Sequence, residues 1–256
     1  MRLIDSHCHI DFPQFESRRQ ELLEQASLSG VDEIVVPGVT EKHWGRLLDC
    51  VSHHAGLHAA LGLHPCFLDQ HQPEDLKRLA RLLETQTVCA VGEIGLDLFI
   101  PDADLDAQLF YLDQQLALAK QFDLPVLLHV RKAHDQMLQR LRRVKLQAGG
   151  VVHAFSGSKH QAMQYVDLGF KLGIGGTITY ERAKKLRSIV SEMDLADLIL
   201  ETDAPDMPLS GYRDEINQPA RVREVAEMVA QLKRCSVEQV ARITTAQAVA
   251  LFHSIS

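Results

Sequence analysis

The sequence has few aromatics, no paired-cysteine spacing, no long apolar run and no excess of positive charge. Each absence removes a class of protein. Only 5% of its 256 residues are Phe, Trp or Tyr, with a single Trp, so no platform for stacking bases is visible. Lysine and arginine number 27 against 34 aspartates and glutamates, a net charge of −7. That excludes a protein that coats nucleic acid or a membrane through a broad basic surface; a small pocket gripping one or two phosphates remains open. The five cysteines (Cys8, Cys50, Cys66, Cys89 and Cys235) are odd in number and lack CxxC spacing, as expected of reduced thiols, with Cys8 and Cys89 buried in strands. No apolar run approaches the ~18 residues of a membrane span. The opening MRLIDSHCHIDF lacks the basic and apolar regions of a secretory leader, so the expected location is the cytoplasm. No Rossmann fingerprint or P-loop is present.

Short apolar runs alternate with longer helical patterns from end to end. The runs are 2–5, 33–38, 57–62, 88–93, 125–130, 150–155, 170–175 and 198–203. They are continuously apolar, as strands buried on both faces should be. Stretches such as 16–30 and 105–122 place apolar residues at helical spacing, and Gly30, Pro125 and Gly169 punctuate the junctions. Eight such alternations predict a parallel sheet closed as a TIM (β/α)8 barrel, an α/β fold. With no linker or low-complexity tract, residues 1–256 read as a single domain.

A barrel of this kind carries its chemistry at the C-terminal ends of its strands. There the sequence places ionisable residues directly after apolar runs. His7 and His9 follow the first run on one face, with Cys8 turned away. Glu93 closes the fourth, His129 the fifth, His153 the sixth and Asp203 the eighth. Any one of them alone is adequately read as a satisfied core residue or a solvated strand end. Six around one ring are not. Imidazoles and carboxylates bind borderline divalent ions, and four histidines with two carboxylates exceed what one catalytic ion needs. They match a two-metal site with a bridging carboxylate. Glu93 is the expected bridge, since strand four lies across the mouth between the other ligands. No lysine stands in VCAVGEIGLD to bridge in its place. The ions expected are zinc, manganese, cobalt or magnesium.

DSHCH, GLHP, VGEIGLD, LLHVR, HAFSG and ETDAP together resemble the TatD family of metal-dependent hydrolases and deoxyribonucleases. NQPARV and TTAQAVALF extend the resemblance over nearly the whole chain. It implies a TIM barrel of the amidohydrolase superfamily, with His7, His9, Glu93 and Asp203 on one ion and Glu93, His129 and His153 on the other. The sequence departs from the family pattern at Leu98-Phe99-Ile100, at Asp206-Met207-Pro208 and at Gln247. These departures resemble a distinct bacterial branch, so the metal core carries over better than the substrate does.

Further candidates surround this core. His64, before Pro65, reads as a substrate or phosphate contact under the family resemblance, or as a plain loop histidine. Arg131 shares a strand face with His129 and reads as a phosphate clamp or a surface arginine. Asp97 reads as a turn residue, with support of a ligand as the alternative. GIGGTITY ends strand seven, where barrels often bind phosphate, but lacks P-loop spacing. ERAKKLR reads as a solvated basic helix face. Two bound ions would lower the pKa of a water and polarise the bond attacked. Asp203 is then the expected general base and Glu93 the second catalytic carboxylate. The expected activity is a deoxyribonuclease that trims single-stranded DNA ends, with no membrane or obligate protein partner. The alternative is hydrolysis of a C–N, lactone or aminoacyl-ester bond on the same metals.

Overall fold

A computed structural model describes residues 1–255. Eight parallel strands follow one another around a sheet in sequence order. They are β1 Leu3–Asp5, β2 Val31–Pro37, β3 Leu57–Leu61, β4 Ala90–Asp97, β5 Val126–Arg131, β6 Gly150–Val152, β7 Phe170–Ile174 and β8 Leu198–Leu200. Seven helices separate them: α1 Arg19–Leu28, α2 Glu41–His53, α3 Pro73–Thr85, α4 Leu105–Gln121, α5 His134–Val144, α6 Lys159–Asp167 and α7 Lys184–Glu192. Two more, α8 Val222–Lys233 and α9 Val237–Leu251, follow β8. The result is a TIM barrel.

The seam between β8 and β1 is closed largely beyond the strands themselves. Ser6 N–H donates to Leu200 O, His9 N–H to Ala204 O and Asp203 N–H to His7 O, and Cys8 bridges Ala204. The fully buried Asp5 carboxylate locks this seam. It accepts the Thr202 N–H at 2.9 Å, the Thr202 hydroxyl at 2.6 Å and the His7 N–H at 3.2 Å. Burial pushes its pKa up to about 8 despite those donors. Asp5 thereby fixes where His7 and Asp203 leave the barrel.

The end of the barrel away from these residues is filled by apolar side chains. Ile4, Val35, Ala60, Ala90, Leu127, Val151 and Ile199 form one cluster, and Ala248, Leu251, Phe252 and Ile255 of α9 and the residues after it join the same cluster. The TTAQAVALF segment is therefore a plug, and Gln247 lies on it, remote from the mouth. Cys89 belongs to the same cluster and sits just before β4, while Cys8 sits just after β1. Trp44 is buried, and its indole donates to Gly62 O at 3.1 Å. Among the described residues all five cysteines are free. Among the described residues no helix is long and apolar enough to cross a membrane.

Helix caps follow from local sequence. Gln72 and Asp75 form a capping box around Pro73 at the start of α3, and Ser158 and Gln161 form one for α6. The buried stripe of α4 includes two amides among apolar residues. Gln108 accepts the Asp97 N–H and donates to Asp97 O, each at 2.8 Å. Gln115 accepts the Leu63 N–H at 2.7 Å and donates to Leu63 O at 3.2 Å. These amides do for the ends of β3 and β4 what a neighbouring strand does elsewhere. Replacing Gln115 with leucine strands a buried N–H and C=O beside His64. Gln115→Leu should lower unfolding stability by about 2–4 kcal/mol, read as a reduced urea midpoint at constant slope; an unchanged midpoint would contradict this role.

Candidate metal centre

The strand ends differ from the sequence reading at two places. β4 runs four residues past Glu93, and its pairing with β5 shifts register between Val91 and Ile94. Glu93 therefore projects from within a strand, at an irregularity that sequence alone does not mark. β8 stops at Leu200, and Asp203 stands beyond it with φ +60°. The hydrogen bond from its N–H to His7 O, made across the seam, holds it there.

The structure brings all six residues to one point in the mouth. Glu93 is at the centre, 2% exposed, and its two oxygens divide the imidazoles. Oε2 lies 3.1 Å from His7 Nε2 and 3.7 Å from His9 Nε2. Oε1 lies 3.0 Å from His129 Nδ1 and 3.2 Å from His64 Nε2. Asp203 repeats the division: Oδ1 is 3.7 and 3.8 Å from His7 and His9 Nε2, and Oδ2 is 3.5 Å from His153 Nε2. The His7 and His153 rings stack at 3.6 Å.

The far nitrogen of three imidazoles has an oxygen behind it, hydrogen-bonded for His9 and His129 and close but outside hydrogen-bond geometry for His153. His9 Nδ1 lies 3.2 Å from Pro37 O, His129 Nε2 3.0 Å from Asp97 Oδ2, and His153 Nδ1 3.0 Å from Glu201 Oε1. Such partners fix the orientation of a ligating ring and raise its basicity. Asp97 is more than a turn residue. Its Oδ1 accepts the Phe99 N–H at 2.8 Å, which is the turn, while Oδ2 orients His129. Glu201, fully buried, also accepts the Ala154 N–H at 2.7 Å. The sequence reading passed over Glu201 and Asp5, although each is an acid inside an apolar run.

His64 sits against the same carboxylate but differs from the other imidazoles. Its Nδ1 accepts the Cys66 N–H at 3.1 Å, which leaves the proton of a neutral ring on Nε2, facing the cavity. That makes Nε2 a donor, with Glu93 Oε1 3.2 Å in front of it. Arg131 lies at the rim, its side chain 53% exposed. Its guanidinium rests 3.8 Å above the exposed Phe99 ring and 4.0 Å from Asp97. The glycine-rich turn after β7 is no open phosphate cradle. A Cβ on Gly176 would meet Met207 O at 2.4 Å, so that turn is covered by the segment after Asp203. ERAKKLR is only partly solvated, since Arg187 donates to Ile178 O at 2.9 Å from a half-buried position.

Charges at the centre are tightly coupled. Burial acts to raise the Glu93 pKa, but the surrounding His64, His7 and His129 hold it well below the ordinary carboxylate range. Asp203 is likewise opposed by burial and lowered by His153, His7 and His9. Burial lowers His7 and His64. His153 goes up, because Glu201 and Asp203 outweigh its burial. His129 goes up to about 9: burial opposes this, and its hydrogen bonds to the Asp97 and Glu93 carboxylates prevail.

These residues suit a divalent cation. Neither ring nitrogen of buried His7 has a hydrogen-bond partner among the described residues, although Nε2 faces two carboxylates. A buried imidazole with no donor or acceptor facing it well is normally satisfied by something else. Ligand atoms of His7, His9 and Glu93, and those of His7, His153 and Asp203, lie within 4.8 Å of one another. Nitrogen and oxygen donors of this kind hold zinc, manganese or cobalt.

Known proteins are similar to this chain over nearly its whole length. A family model described as TatD related DNase matches residues 4–253. The metal-dependent hydrolase YjjV of Escherichia coli K12 is 44% identical over 98% of each chain. The crystal structure of YjjV, a TatD homologue, superposes with a TM-score of 0.96 over 98% of each chain. A 3'-5' ssDNA/RNA exonuclease, TatD of Erwinia amylovora, is 29% identical over 98% of this chain and 99% of its own.

In metal-free protein the raised pKa of His129 has a direct readout. A raised folded-state pKa stabilises the fold fully below the unfolded value of about 6.5, and this contribution is lost as pH rises through about 9. Imidazole NMR should show His129 protonated at neutral pH with a midpoint near 9, and Asp97→Asn should move that midpoint toward 6.5. A midpoint near 6.5 in the unaltered protein would contradict the assignment.

Proposed function

The chain belongs to the family of TatD related DNases and is a metal-dependent hydrolase; on that premise we propose that it removes nucleotides from single-stranded DNA ends by two-metal hydrolysis. The observation that carries the reading is the division of the Glu93 oxygens, one facing His7 and His9, the other His129. We assign His7, His9, Glu93 and Asp203 to one ion, and Glu93, His129 and His153 to the other. When bound, such ions lower the pKa of a water and polarise the phosphorus–oxygen bond.

The chain's own groups do the rest. Glu93, held ionised by the imidazoles around it, keeps both halves of the site at fixed spacing. The Asp203 side chain is 15% exposed against 3% for Glu93, so it is the carboxylate a cavity water can reach. It takes the proton of the attacking water and returns it to the leaving oxygen. His64 Nε2–H donates to a phosphate oxygen. Arg131, at the rim, meets a neighbouring phosphate.

The preference for ends follows from charge. The mouth is a cavity of about 510 Å³, and among the described residues lining it Arg131 is the single lysine or arginine. Two or three phosphates at most are neutralised there, and a cavity of that size holds few nucleotides. The similarity to a 3'-5' ssDNA/RNA exonuclease of Erwinia amylovora supports the same substrate class.

Labelled linear and circular single-stranded DNA, assayed with manganese, magnesium, zinc and cobalt, tests the reading. Linear strands should be shortened from an end and circles should resist. Log affinity against log salt should fall with a slope of about −1.5 to −2. Asp203→Asn should lower turnover by about 10²-fold or more without unfolding the protein. Products from the circle, a slope steeper than about −5, or near-normal Asp203→Asn turnover would contradict the proposal. Turnover of an ester or amide with no nucleic acid cut would transfer the site to that chemistry.

A further inference from the structure

The cavity has unlike sides. Arg131 ends β5, and Asp206 stands six residues past the end of β8, three strands further round the ring. Both line the mouth. Arg131 lies on the exposed Phe99 ring, a cation and an aromatic face side by side. Asp206 is exposed at the opposite rim, and its carboxylate makes no hydrogen bond or ion pair among the described residues, its electrostatic neighbours being Asp203 and His9.

The position of Asp206 is built rather than incidental. Its N–H donates to Asp203 O at 2.8 Å. Asn217 pins the backbone on either side, its N–H donating to Pro205 O at 2.9 Å and its amide to Met207 O at 3.3 Å and Thr202 O at 2.9 Å. From the other direction the Tyr180 hydroxyl donates to Pro208 O at 2.9 Å, and Ser210 N–H donates to the Thr179 hydroxyl at 2.8 Å. Gly176 lets Met207 O come close. The turn after β7 and the NQPARV segment thus hold a fixed anionic group over one side of the metal centre.

From this polarity we propose that the cleft selects strand ends bearing a free sugar hydroxyl and rejects ends bearing a phosphate. The inference rests on the nuclease reading and extends it to the chemistry of the end. A scissile phosphate at the centre leaves two directions for the substrate. Toward Arg131 and Phe99 the strand continues, its next phosphate on the guanidinium and a base against the ring. Toward Asp206 it terminates. A hydroxyl there donates to the unpartnered carboxylate. A terminal phosphate would instead bring about 1.5 to 2 further negative charges against it, and among the described residues lining the cavity no lysine or arginine stands on that side. Repulsion of this kind discriminates as effectively as attraction.

The test uses one single-stranded sequence made in four forms, with hydroxyl or phosphate at each end, and the metal-loaded protein. A phosphate on the end being removed should lower kcat/KM about tenfold or more, the scale of one like-charge pair in a partly solvated cleft. A phosphate on the far end should have no effect. Asp206→Asn and Asp206→Ala should bring the ratio close to one by accelerating the phosphate-ended substrate. In the unaltered protein a nucleoside monophosphate should inhibit more strongly than the corresponding bisphosphate, although the bisphosphate carries more charge. Equal rates for the two ends, a ratio unchanged in both variants, or stronger inhibition by the bisphosphate would overturn the inference while leaving the nuclease reading intact. Failure to cut any of the four forms with any metal would remove both.

Discussion

One buried carboxylate organises this molecule. Glu93 is held almost fully buried in the barrel mouth, and its ionised form persists because imidazoles crowd both oxygens. A lone buried carboxylate would be neutralised by its surroundings. Here burial and the imidazoles oppose each other and the imidazoles win. Everything near it serves that balance. Asp5 locks the seam that delivers His7 and Asp203, Asp97 holds His129 from behind, Glu201 stands 3.0 Å behind His153, and Gln108 and Gln115 of α4 secure the ends of β4 and β3. The site is less a set of ligands on loops than a polar layer built into the end of the barrel.

The two ends of the barrel divide the labour. One is filled by aliphatic side chains and sealed by α9, so its packing can hold the strands in register. The other concentrates four carboxylates and five histidines where apolar filling would otherwise be. Barrels tolerate this because stability comes from the packed layer and the outer helices, while the mouth is free to carry chemistry. The outward side of the sheet supplies the larger apolar cluster, joining strands to α1 through α9.

Much of this was legible in the sequence, for a physical reason. Strands buried on both faces read as unbroken apolar runs, so eight runs gave the barrel, and an ionisable residue at the end of such a run stands out. His7, His9, His129 and His153 were visible that way. Glu93 was visible as a residue but misplaced as a strand end, because the register shift in β4 has no local signature. Asp5, Asp97 and Glu201 act through partners 30 or more residues away in the chain or across the seam, and nothing beside them announces those partners. The same holds for Asn217, whose function is to fix a segment ten residues earlier. Gln108 and Gln115 carried a usable signal, as amides on an otherwise apolar helix stripe. GIGGTITY carried a misleading one: Gly176 makes room for Met207 O, and Gly173 and Gly175 make room for Glu201, rather than for an anion.

The proposed chemistry requires Glu93 to hold two ions close together, one on each oxygen. Electron paramagnetic resonance of the manganese-reconstituted protein tests it directly. Two ions bridged by one carboxylate, about 3.5–4 Å apart, should give the multiline spectrum of an exchange-coupled pair, and Glu93→Gln should abolish it. Only the six-line spectrum of isolated manganese, at every metal loading, would contradict the account.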